Sequence, residues 1–138
     1  MTQEEKSILL KDLCARLYYT YNSKGIIDYK YSIKGIISYI GEDMIFTVIG
    51  IYDDILYLYA SEACQIEDFK PYLRPMSSMT EEEDKEYTNI DNRAYSCPKD
   101  YAHIPASERI DWLNAHHFDY RGLIEKNLAL KAPNGMYK

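Results

Sequence analysis

The stretch Met44-Ile45-Phe46-Thr47-Val48-Ile49-Gly50-Ile51-Tyr52 decides the fold. It is almost wholly apolar and rich in β-branched side chains, which suit a pleated surface and crowd a helix. Bounded by Gly41-Glu42-Asp43 on one side and Asp53-Asp54 on the other, both turn-forming, it reads as the central strand of a sheet. Downstream, Ile55–Ala60 gives the next strand, with Tyr57 and Tyr59 on one face. Ser61-Glu62 turns again, and Cys64-Gln65-Ile66 opens a short last strand. Upstream, Ile27, Tyr29, Tyr31 and Ile33 alternate with Asp28, Lys30, Ser32 and Lys34, the period of a strand with one wet face. Gly35 interrupts that run as a bulge or bend, and Ile36–Ile40 resumes it. Short strands joined by tight turns predict a meander, either a small bent antiparallel sheet or an SH3-like barrel. Pro71 and Pro75 cannot donate to a ladder, so the sheet is expected to end there.

Helices flank this unit. Thr2 and Glu5 form a capping box, and Leu9, Leu10, Leu13 and Leu17 recur at helical spacing with Cys14 beside them. Lys6, Lys11, Asp12 and Arg16 fall on the opposite, solvent side of that helix. Thr80 and Glu83 make a second capping box, with Glu81–Asp84 in the first turn, where the helix dipole favours acids. That helix is expected to end near Tyr87–Ile90, followed by a loop of about fifteen residues from Thr88 to Pro105. Ser107, Ile110, Trp112 and Leu113 begin another helix that ends around His116-His117. Asp119 caps a short helix over Tyr120–Asn127, Leu128–Leu130 is extended, and Pro133-Asn134-Gly135 turns. The class is α+β: residues 1–75 carry the N-terminal helix and the β unit, and residues 76–138 form a helical region packed on it or extending from it.

Composition narrows the function. The chain has 138 residues and a net charge of −6, with the charge balanced between its halves. No cluster of Lys and Arg exists to replace the counterions of a nucleic acid or to hold an anionic membrane, so both partners are disfavoured. The apolar runs fall well short of the ~20 residues that span a bilayer, and the polar start Met1–Lys6 is not a signal peptide. A cytoplasmic location is expected. Cys14, Cys64 and Cys97 are odd in number and widely spaced, as free thiols of a reducing compartment are.

Two further stretches carry a resemblance. Lys70-Pro71-Tyr72-Leu73-Arg74-Pro75-Met76-Ser77-Ser78-Met79-Thr80-Glu81-Glu82 and Ile110-Asp111-Trp112-Leu113-Asn114-Ala115-His116-His117-Phe118-Asp119-Tyr120-Arg121-Gly122-Leu123-Ile124, with the helical opening, resemble a group of small proteins encoded by phages and prophages of gut Bacteroidales. The group has no established activity, cofactor or site, so the resemblance implies provenance alone: a cytoplasmic accessory protein of a mobile element.

Several constellations are candidates for chemistry. His116-His117 with Asp119 contains metal-ligand types, but neighbouring helical side chains diverge by roughly 100°, so helix-end histidines are the plainer reading and no metal is expected. Cys97 with His103 lacks any signature of an activated nucleophile. No Gly-rich phosphate loop occurs, and no catalytic residue or cofactor is expected. The acids Glu81–Glu86 could imitate a phosphate backbone, or simply charge a helix N-terminus. Tyr120 with Arg121, and Tyr72 with Arg74, each pair a flat aromatic face with a bidentate donor fork, a combination that could stack a base and hold a phosphate. Against that, Arg121 could pair with an acid while the tyrosines pack.

Tyrosine is the compositional oddity: 15 residues against three Phe and one Trp. Nine fall between Tyr18 and Tyr59. Either they build the half-buried face of the sheet, or rings such as Tyr57 and Tyr59 form an exposed platform for a partner. The reading that follows is a non-enzymatic binding or adaptor protein acting through protein–protein contacts, with self-association expected from open strand edges. The alternative is a protein that sequesters a nucleotide signal through Tyr120/Arg121 and Tyr72/Arg74.

Overall fold

The computed structural model describes residues 1–28, 30–39, 42–96 and 103–137. Helix α1 (Gln3–Leu17) opens the chain, with the Thr2 hydroxyl accepting from the Glu5 N–H and the Glu5 carboxylate accepting from the Thr2 N–H. Strands β1 (Lys34–Tyr39), β2 (Glu42–Tyr52), β3 (Ile55–Leu58), β4 (Glu62–Gln65) and β5 (Phe69–Leu73) follow. Helices α2 (Glu81–Ser96) and α3 (His103–Ala115) come next, and β6 (Leu130–Lys131) lies near the end.

The six strands lie in the order β4-β3-β2-β1-β5-β6. β1 to β5 pair antiparallel, and β6 adds parallel to β5. The order is linear, with β4 and β6 at the two edges, so the sheet is open; of the two expected architectures the bent sheet forms and the barrel does not. The apolar β2 is an interior strand, as its composition requires. α1 lays Leu9 and Leu13 into a core with Ile37, Val48, Leu56, Leu58, Ile66 and Phe69. The C-terminal region joins the same core through Leu123, Leu128 and Ala129, and supplies β6 to the sheet. The fold is α+β, with the C-terminal part packed on the β unit.

Several expectations are corrected. Of the alternating run from Ile27, Tyr29 lies outside the described residues and the rest is no regular strand: Tyr31 N–H donates to Asp28 O, and the Asp28 carboxylate takes the Lys30 N–H, which closes a turn. This local side-chain bond competes with the ladder, and β1 starts only at Lys34. Gly35 lies within β1, where a Cβ would stand 2.2 Å from the Phe69 ring and 2.5 Å from Lys70 O. Close approach of β5, and not a bend, requires the glycine; the bulge falls between Val48 and Gly50.

Pro71 does not end the sheet but sits inside β5, opposite Gly35. The ladder to β1 stops at that pair, and a side chain takes over. The Tyr137 hydroxyl accepts from Lys34 N–H at 3.2 Å and donates to Tyr72 O at 2.7 Å, so it bridges the two strands next to the missing proline donor.

The second helix does not stop near Ile90: α2 runs to Ser96, and α3 begins at His103, with Pro105 in its first turn. The expected loop over 88–105 is therefore helical throughout its described part, where α2 and α3 pack on each other, with Trp112 Nε1 donating to Glu86 and the Tyr87 ring tilted against Trp112. Residues 120–127 are successive turns and not a helix; Asp119 takes the N–H groups of Leu123 and Ile124, and Gly122 has φ +72°.

Candidate functional site

The register places the tyrosines of β2 and β3. Val48, Leu56 and Leu58 point into the core, so the alternate residues of these strands point away from α1. After the bulge, Tyr57 stands across from Gly50 on β2 and Ala63 on β4, and Tyr52 across from Ile55. Tyr59 donates its N–H to Thr47 O, which sets it beside Tyr57 on the same face. Tyr52 is 70% exposed, Tyr57 44% and Tyr59 51%, and Ile45 on the same face is 58% exposed. The small neighbours of Tyr57 cannot cover its ring, and even a Cβ added at Gly50 would come no closer than 3.8 Å to the Tyr57 Cβ. The result is an aromatic surface on β2–β3, bordered by the edge strand β4.

The candidates Tyr120 and Arg121 occupy a different place. On α1, Asp12 and Arg16 are both fully buried, contrary to the expected solvent face. Arg16 Nε donates to Asp12 Oδ2 at 2.8 Å and its Nη2 to Asp12 Oδ1 at 3.0 Å and to Phe118 O at 2.7 Å. Arg121 Nε donates to the same Asp12 Oδ1 at 3.1 Å, and its Nη2 to the Tyr120 hydroxyl, which in turn donates to Asn114. Both guanidiniums lie against the Tyr120 ring, Arg16 at 5.4 Å and Arg121 at 4.9 Å from its centre. One carboxylate thus holds two arginines and ties α1 to the segment after α3. The two arginines need it because buried charge is costly unless paired.

Arg74 is similarly engaged. Its Nη1 and Nη2 donate to the two oxygens of Glu83 at 2.7 Å and 2.6 Å, and its guanidinium lies 4.2 Å from the Phe118 ring centre. That ion pair, with the Thr80 N–H, holds the Glu83 carboxyl down to about 2. Tyr72 on β5 is half-buried and its carbonyl accepts from Tyr137. Each sequence-predicted fork, Arg74 and Arg121, therefore faces a carboxylate of its own chain, and no described contact joins the two pairs. Of the acids in the α2 start, Glu83 and Glu86 are likewise used within the fold.

The histidines diverge. His116 stacks on Trp112 at 4.1 Å, whereas His117, with φ +65°, stacks on Tyr137 at 3.7 Å and places Nε2 2.9 Å from Lys30 O. Burial holds His117 down to about 4, aided by the charges of Arg16, His116 and Arg74 and opposed by the bond to Lys30 O. No group of three metal-ligating side chains occurs among the described residues. Burial raises the Cys14 thiol, and burial with the charge of Asp68 pushes Cys64 up to about 11, the reverse of what a nucleophilic thiolate needs. The Cys97–His103 pairing lies outside the described residues and side chains. No helix among the described residues is long and apolar enough to cross a membrane.

Sequence reasoning missed the Asp12–Arg16 junction and Tyr137. The i, i+4 spacing of an acid and an arginine was the available signal for the first; nothing local marks the second. No family model, curated protein or solved structure matches the chain.

Proposed function

We propose that this chain is a non-enzymatic binding module, an adaptor of a mobile element, whose contact surface is the outward face of β2 and β3 around Tyr57, Tyr59, Tyr52 and Ile45. The observation that carries the reading is the exposure of three tyrosines and an isoleucine on one face of a strand pair whose opposite face is core. Tyrosine brings large rigid contact area and a hydroxyl that tolerates water before the partner arrives, which is why it is enriched in interfaces. The adjoining edge strand β4 adds backbone donors and acceptors that a partner strand can pair with. A second copy of the chain is one partner this combination admits.

Light scattering over a concentration series tests that form. A mass rising from 16.2 kDa toward twice that value, and staying at 16.2 kDa in the Tyr57→Lys, Tyr59→Lys variant, supports self-association through this face. A wild-type mass that stays monomeric removes the second copy as the partner and leaves a different protein in that role.

A further inference from the structure

A concave region lies where the segment after α1 meets the end of α3. Tyr18, Tyr19, Tyr21 and Tyr31 line it, with Asn22, Ser23, Asp28, Ala115 and His116, around a cleft of about 740 Å³. That volume is in the range of small-molecule sites. Among the described residues the lining contains one carboxylate, Asp28, and no Lys or Arg.

Its aromatic groups are offered as rings more than as hydroxyls. The Tyr19 hydroxyl donates to Asp111 at 2.6 Å, and burial followed by that bond raises its pKa well above the ordinary tyrosine value. The Tyr21 hydroxyl donates to Ile49 O at 2.7 Å. The Tyr18 and Tyr19 rings meet at 82° with centres 5.2 Å apart, which forms a corner of two walls. Of the Asp28 carboxylate, Oδ1 accepts from Lys30 N–H at 3.2 Å. One ring of the lining already carries an ammonium: Lys30 Nζ lies 5.4 Å from the Tyr31 ring centre, although Lys30 itself does not line the cleft.

We propose that this cleft binds a small organic ammonium, with the rings of Tyr18, Tyr19 and Tyr21 as its walls and Asp28 as its counter-charge. Aromatic faces are negative and attract cations within about 6 Å of their centres, and a poorly hydrated quaternary ammonium leaves water for them most easily. The Asp28 carboxylate supplies the negative charge that favours a cation here, beside the Lys30 ammonium that already rests on the Tyr31 ring. The Lys30–Tyr31 contact shows that a ring of this lining accepts an ammonium in this fold.

The test uses the full chain and two probes of the same shape, choline and its neutral carbon isostere 3,3-dimethylbutan-1-ol, with ring chemical shifts of the tyrosines as the readout. Choline should saturate and move the signals of Tyr18, Tyr19 and Tyr21, while the isostere binds about tenfold more weakly or less. Asp28→Asn keeps the acceptor for the Lys30 N–H and removes the charge, so the variant should fold and bind choline about tenfold more weakly. Tyr18→Ala removes an exposed wall and should also weaken binding. Equal binding of choline and the isostere, unchanged affinity in Asp28→Asn, or no saturable shift at these tyrosines overturns the proposal.

Discussion

Tyr57 stands directly across from Gly50 in the β2–β3 register, so the ring rests above a residue that has no side chain to hold it. Ala63 on its other side is nearly as small. A tyrosine with these neighbours contributes little lateral packing and keeps 44% of its surface in solvent. Replacing it by lysine should therefore change stability by less than about 1 kcal/mol in urea unfolding. A loss of several kcal/mol would mean that the ring is structural and would remove it from the contact surface.

Gly35 is fixed by the opposite circumstance. A methyl group there would meet the Phe69 ring and Lys70 O at distances that neither a packed ring nor a ladder carbonyl can yield easily. Gly35→Ala should destabilise the chain by about 3 kcal/mol, the upper end of overpacking costs. Chemical denaturation measures it, and a near-neutral result would contradict the close β1–β5 approach.

Asp12 neutralises two guanidiniums at once. Asp12→Ala leaves the fully buried Arg16 without its carboxylate, and should cost about 3–5 kcal/mol. Arg121→Ala should cost less, because Arg121 is partly exposed and Arg16 remains to pair with Asp12. Thermal unfolding of both variants checks the order; a reversed order would contradict the assignment of Asp12 and Arg16 as the centre of the junction.

His117 makes stability depend on pH. Its imidazole is held down to about 4 in the fold, against an ordinary value near 6.5. Between those values the unfolded chain takes a proton that the folded chain refuses, so stability falls as pH falls. From pH 7 to pH 5 the loss should be about 2 kcal/mol. Urea titrations at the two pH values measure it. In His117→Asn, whose residue tolerates positive φ, the dependence should flatten; an unchanged slope would place the titrating group elsewhere. Glu83, held down to about 2, acts in a lower window: its contribution is present above pH 4.5 and is lost as pH falls toward 2.

Much of the architecture was legible in the chain itself. Met44–Tyr52 announced an interior strand by composition, Thr2/Glu5 and Thr80/Glu83 announced helix starts by chemistry, and Leu9 and Leu13 announced the face of α1. What escaped were features created by contacts between distant residues. The alternation at Ile27–Ile33 was the right period, but the Asp28 side chain took the backbone donor that a strand would have used. α2 outran its own propensity where α3 packs on it: Trp112, 26 residues on from Glu86, bonds to that carboxylate and meets the Tyr87 ring. Asp12 and Arg16 looked like solvent-facing charges because nothing near them in sequence reveals that the Phe118–Arg121 segment closes over them. Among the candidate residues, Tyr57 and Tyr59 came out exposed and adjacent, whereas Arg74 and Arg121 came out paired with carboxylates that spacing alone could not assign.

The proposed binding of a protein to the face carrying Tyr57 and Tyr59 is tested most directly by a parallel capture experiment. Wild-type chain and the Tyr57→Lys, Tyr59→Lys variant are immobilised at equal density, with folding of both verified by circular dichroism, and exposed to the same cell lysate and to free wild-type chain. A protein should be retained by the wild type and lost from the variant. Equal retention on both, or nothing retained by the wild type, would contradict it.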